Sequence, residues 1–166
     1  EDEKTPAQII LGWWTHAIGD RNSSTARALA ARLHRATAVE ALTEPAVQEL
    51  ARRLNLRDGA RIARLVCLLA EVREHVAEPL PRRLGGAEPA LSALRFRRLM
   101  RADDAELTDA LRRAIVMADR KCNVAALGLD LLYWNDRTRT NWCFNYYGEN
   151  APRPDFNDPD LKKAEA

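Results

Sequence analysis

The sequence predicts an all-α fold, and three observations carry that prediction. No window of alternating β-branched residues occurs among the 166 residues, so the two-residue period of a half-buried strand is missing. Apolar residues recur instead at three- and four-residue spacing, as in Ile62, Leu65, Val66, Leu69, Val72 and Val76, which puts them on one helical face. Helix start and stop signals punctuate the chain, beginning with Thr5 and Pro6 before an apolar run and Gly19 after it. Together they predict a compact bundle of about eight helices, with helical subdomains at 1–77 and 91–148 joined near 78–90 and acting as one functional unit.

The elements follow in order. Thr5 caps a helix over 5–19, and Ser23 or Ser24 caps another over 23–36, in which Leu29 and Leu33 share a face away from Arg27, Arg32 and Arg35. A short helix then precedes a longer one expected to start from Thr43, with Glu44 and Pro45 in its first turn. The apolar spacing over 58–77 predicts the most buried helix of the chain. "EPLPRRLGGAEP", residues 78–89, has three prolines and two adjacent glycines and is expected as a loop. Four more helices are expected near 91–102, 104–121, 123–134 and 137–147, and the tail 149–166, rich in Pro, Asn and charge, is expected to be disordered.

Composition narrows the function. Cys67, Cys122 and Cys143 are odd in number and widely separated, which suits reduced thiols, and with no CxxC or HxxxH pair a zinc site is not expected. No basic region precedes an apolar run near the N-terminus, and no segment approaches the roughly eighteen apolar residues of a membrane helix, so the expected location is cytoplasmic, away from membranes. His16, His34 and His75 lie on separate predicted helices without a nucleophile motif, and no phosphate loop, metalloprotease or dinucleotide signature is present. Neither catalytic residues, a metal nor another cofactor is expected. The acids Asp103, Asp104, Glu106 and Asp109 are explained by the dipole at a helix start.

The charge is unevenly placed. Between Arg21 and Arg139 lie 22 basic and 15 acidic residues, although the whole chain carries only +2. Of the 26 basic residues 22 are arginine, whose planar fork binds phosphate in bidentate fashion. A coding sequence rich in G and C would favour arginine over lysine but would not cluster it. In "RFRRLMR" helical spacing puts Phe96, Leu99 and Met100 on one arc and Arg95, Arg97, Arg98 and Arg101 on the other. Arg112 and Arg113, Arg32 and Arg35 beside His34, Arg52, Arg53 and Arg57, and Arg137 and Arg139 form further patches. Basic side chains drawn from several elements suit a groove that tracks a nucleic-acid backbone. Tyr133, Trp134, Trp142, Phe144, Tyr146 and Tyr147 could stack bases, but a C-terminal core is their expected use.

"LSALRFRRLMRADDAELTDALRRAI" followed by "LGLDLLYWNDRTR" resembles the small subunit of the type I-E CRISPR Cascade complex, the CasB family. The matching positions are Arg95, Leu99, Met100, Arg101, Ala102, Asp103, Leu111, Arg112, Arg113, Leu131, Trp134, Arg137 and Arg139. A weaker match pairs the Trp13–Trp14 helix with "GDRNSSTARALAARLHRAT", placing Arg35 and Arg32 where that family presents base to nucleic acid. Asp136 departs from the pattern, standing where some relatives are basic.

The resemblance implies an all-helical, non-enzymatic subunit of an RNA-guided surveillance complex, present as two copies head to tail. It would support the crRNA–target DNA duplex and hold R-loop strands, with the backbone and large Cascade subunits as neighbours. Target and non-target DNA strands would be met through the backbone alone, since guide pairing reads sequence. The residues expected to meet phosphate are Arg32, Arg35, Arg95, Arg98, Arg101, Arg112, Arg113, Arg137 and Arg139. Two alternatives stay open: a helix-turn-helix DNA-binding regulator, which would offer Asn, Gln or Ser beside its arginines, and an adaptor whose basic face binds an acidic protein.

Overall fold

The structure, a computed structural model, describes residues 3–148; the expected tail at 149–166 lies outside the described residues. Helix α1, Pro6–Trp14, begins as expected: the Thr5 hydroxyl accepts the Gln8 N–H at 3.3 Å and Gln8 Oε1 accepts the Thr5 N–H at 2.9 Å. This reciprocal pair satisfies two backbone donors at the helix start. The helix continues into a π turn, Thr15–Gly19. Ile10, Trp13 and Trp14 are buried, and the two indole N–H groups donate to the carbonyls of Ala46 and Leu69 at 2.8 and 3.1 Å. Both rings therefore fill the core without stranding a polar atom.

Four helices follow: α2, Ser24–Arg35; α3, Ala38–Leu42; α4, Pro45–Leu54; and α5, Gly59–Leu69. Ser23, Thr37 and Asp58 cap the first, second and fourth through their side chains. α4 starts at Glu44 rather than Thr43, because the Thr43 hydroxyl donates back to the Glu40 carbonyl at 2.6 Å and closes α3. α5 does bury Ile62, Leu65, Val66 and Leu69, but it ends eight residues before the predicted limit of 77. Residues Glu74–His75 form strand β1, parallel to β2 at Lys121–Cys122. The N–H groups of Arg73 and Val76 donate to the carbonyls of Arg120 and Cys122 at 2.8 and 3.0 Å, so their partners lie across the fold instead of one helical turn back.

Within the stretch expected as a loop, Leu80–Leu84 forms the short helix α6, with Pro81 in its first turn and Leu80 and Leu84 buried. Next come α7, Ala93–Arg101; α8, Asp104–Met117; α9, Val124–Leu132; and α10, Asp136–Tyr147. α8 stops short of 121 because Asp119 and Arg120 both take left-handed backbone, φ 59° and 58°, a conformation costly for residues with a Cβ. α9 stops at Leu132, and α10 starts from Asn135, whose side chain accepts the Thr138 N–H at 3.0 Å. Two tiny strands aside, the regular secondary structure of the described residues is helical, as predicted.

Close approaches join early and late parts of the chain. α9 crosses α1 at Gly128, where an added Cβ would lie 2.6 Å from Ile10 Cγ2. α6 abuts α10 at Gly85, where a Cβ would fall 1.8 Å from the Tyr146 carbonyl oxygen. Tyr146 also stacks on Phe96 with ring centroids 4.0 Å apart, and its hydroxyl donates to the Leu91 carbonyl at 2.5 Å. Of the C-terminal aromatics, Trp142 and Tyr146 are buried while Tyr133, Phe144 and Tyr147 are exposed. Cys67, Cys122 and Cys143 are free thiols.

Candidate nucleic-acid interface

The site is organised around an acid. Glu71, in the turn after α5, is 1% exposed and is faced by two guanidinium groups and an imidazole. Arg120 Nη1 donates to its Oε2 at 2.6 Å and to its main-chain carbonyl at 3.3 Å. His34 Nδ1, from the end of α2, contacts Oε1. Arg112 Nε, from α8, lies 3.5 Å from the same oxygen, within ion-pair reach. A buried carboxylate left alone would be strongly disfavoured; beside two guanidinium groups it is tolerated. The left-handed backbone at Arg120 turns the chain where this side chain meets Glu71.

Over this ion cluster runs a groove of about 750 Å³. Arg95 and Arg98 of α7, Arg112 and Arg113 of α8, Arg120 and His34 line it, and Leu91, Leu99, Ala110, Val116 and Met117 supply apolar surface. Among the described residues Glu106 and Glu71 are its only acids. A second cavity of about 500 Å³ shares His34, Glu71 and Arg120 with the first and adds Arg21, Arg27, Arg35 and Arg73. The Arg21 guanidinium sits below its ordinary pKa because burial penalises its charge, with Arg73 and Arg120 adding repulsion. The cations are thus crowded enough to repel one another, which is the electrostatic condition of a surface that attracts anions.

The expected contact residues separate into groups. Arg95, Arg98, Arg112 and Arg113 come together in the first cavity, and Arg35 lies in the second. Arg32 is held away by a bidentate contact with Glu44, at 2.7 and 3.1 Å. Arg101 and Arg137 are exposed and line neither cavity. Arg139 bonds Asp103 at 3.3 Å and Asp136 at 3.2 Å, and its guanidinium lies 5.8 Å from the Trp134 ring centre. Sequence reasoning missed Arg120, Glu71, Arg21, Arg27 and Arg73 as members. The one local signal for Glu71 was an acid set in the apolar run Leu68–Val72. His75, by contrast, is structural, since its Nδ1 accepts the Val124 N–H at 3.0 Å at the start of α9. Among the described residues no group of three or more His, Cys, Asp or Glu gathers to hold a metal.

In this all-helical bundle, arginines from α7, α8 and the turn after α8 converge on one groove, an arrangement that suits an extended, negatively charged ligand. The sequence matches the family described as CRISPR-associated protein Cse2 over residues 3–147. The chain belongs to that family, the small-subunit family that the Arg95–Arg139 motifs resemble. A chain in the crystal structure of E. coli Cascade bound to a PAM-containing double-stranded DNA target has the same fold, with a TM-score of 0.61 and 19% identity over 87% of this chain and 97% of that one. No curated protein is a significant match.

Proposed function

We propose that this protein is a non-catalytic, nucleic-acid-binding subunit of a Cascade-type CRISPR surveillance complex, acting in antiviral defence. It steadies the crRNA–target DNA duplex and the strands of the R-loop through backbone contacts that do not read sequence. The observation that carries this reading is the convergence of Arg95, Arg98, Arg112, Arg113 and Arg120 on one groove. Charges distributed over several elements follow a line of phosphates, whereas base reading needs one element in a groove of the duplex with amide side chains aimed at base edges. Between Ala93 and Arg101 no Asn, Gln or Ser is available for that, so nothing here favours the regulator.

Family membership supports the partners: crRNA, target and non-target DNA, the backbone and large Cascade subunits, and a second copy of this chain. The work is done in the cytoplasm, and no helix among the described residues is long and apolar enough to cross a membrane. Fluorescence anisotropy with single-stranded oligonucleotides of unrelated sequence tests the reading. Affinities within a few-fold of each other are expected, all weakened by Arg113→Ala with the helical circular dichroism intact. A preference of orders of magnitude for one sequence, or wild-type affinity in Arg113→Ala, would overturn it.

A further inference from the structure

The buried acid beneath the arginine groove is at first sight misplaced, because a negative charge there opposes phosphate binding. Glu71 is 1% exposed, while the side chains around it are partly open: Arg112 at 31%, Arg120 at 28% and His34 at 52%. For stability alone, apolar packing of equal volume serves as well as or better than a buried ion cluster. What the carboxylate adds is direction.

A guanidinium offers five N–H donors in a flat fork. Arg120 uses Nη1 on Glu71, which leaves the rest of its fork for another acceptor. Arg112 points Nε toward the carboxylate without hydrogen-bond geometry, so its Nε is a buried donor with no hydrogen-bond partner. Both side chains line the groove from which a phosphate would approach. His34 closes the third side of Glu71 and lines both cavities.

We infer that Glu71 is a positioning residue for nucleic-acid binding: from below the groove it holds Arg112, Arg120 and His34 so that their outer edges face a phosphate, without touching the strand itself. This rests on the proposed function and adds a residue to it. Held in place beforehand, the two long side chains lose less rotamer freedom when a strand binds, and pre-ordering of this kind appears as affinity.

The sign of the effect makes the inference testable. By charge alone, Glu71→Gln removes a negative group from beneath the phosphates and should tighten binding. By positioning, it should weaken binding of the full chain to a single-stranded oligonucleotide by roughly tenfold, the scale of ordering two long side chains anew. A role confined to folding would lower the melting temperature and leave affinity unchanged wherever the variant is folded. Tighter or unchanged binding overturns the inference.

If Glu71→Gln melts below the assay temperature, Glu71→Asp takes its place. It keeps the charge but shortens the reach, so several-fold weaker binding supports positioning and wild-type affinity overturns it. Arg113→Ala separates the two claims. If it binds like wild type, the groove reading itself fails; if it weakens while the Glu71 variants do not, only the role of Glu71 fails.

Discussion

Salt dependence is the sharpest consequence of the groove. Arg95, Arg98, Arg112 and Arg113 line it together, beside Arg120, whose charge the direct Glu71 ion pair offsets. If each neutralises one phosphate of a single strand, the slope of log K against log[salt] is about −2.8, from roughly 0.7 per contact. Raising salt fourfold, from about 50 to 200 mM, then weakens binding by about fifty-fold. The double substitution Arg95→Ala with Arg98→Ala removes two contacts, so the slope falls to about −1.4 and the same change in salt costs only about sevenfold.

The fold should hardly register the double change. It eliminates the like-charged neighbours Arg95/Arg98 and Arg98/Arg101 on α7, each unfavourable by about 0.2–0.5 kcal/mol, and gives up a cation in the last helical turn worth a comparable amount. Stability should therefore stay within about 0.5 kcal/mol of wild type. Titrations by anisotropy at four salt concentrations, paired with urea unfolding, check both halves. A wild-type slope near zero would refute the phosphate reading. An unchanged slope in the double variant would show that the strand lies elsewhere.

Two further predictions concern residues outside the groove. Arg139 links α10 to Asp103 and covers Trp134, so Arg139→Ala should lower the thermal midpoint, whereas exposed Arg101→Ala should leave it unchanged; differential scanning calorimetry of both distinguishes a strut from a surface cation. Asp130 accepts the Trp142 indole N–H at 2.8 Å, yet burial raises its pKa, with that hydrogen bond opposing the shift only in part. The folded form thus binds the Asp130 proton more tightly than the unfolded chain does, and this site's contribution to stability declines as pH rises through the raised pKa. Asp130→Asn keeps an acceptor for Trp142 without the charge, so it should melt higher than wild type at neutral pH, with the gap closing in acid; a gap that widens as pH falls would contradict this.

How much was legible in the sequence depends on how far the deciding contact lies along the chain. The start of α1 rests on Thr5, Pro6 and Gln8, all local, and was readable. The end of α5 is set by Arg120 and Cys122, which receive the backbone donors of Arg73 and Val76, and no periodicity over 58–77 reports on residues so distant. The amphipathic split of α7 was visible from spacing, and Arg95 and Arg98 do line the groove. Pairing was not visible: Arg32 and Arg35 look equivalent on the sequence, but Arg32 is held by Glu44 and Arg35 faces the second cavity. Arg120 was expected inside a helix over 104–121, and only the fold, with left-handed backbone there, brings it to Glu71.

The same long-range contacts explain why the interface belongs to the whole chain. Its walls come from α7 and α8, while the acid that steadies it and the histidine beside that acid come from residues before 78. α1 packs on α9 across Gly128, and β1 pairs with β2, so the early and late helices share one core. A perturbation of that seam moves Glu71 relative to Arg112 and Arg120. Substitutions in that seam, such as Gly128→Ala against Ile10, are therefore expected to weaken oligonucleotide binding as well as stability, which anisotropy and urea unfolding of the same variant check.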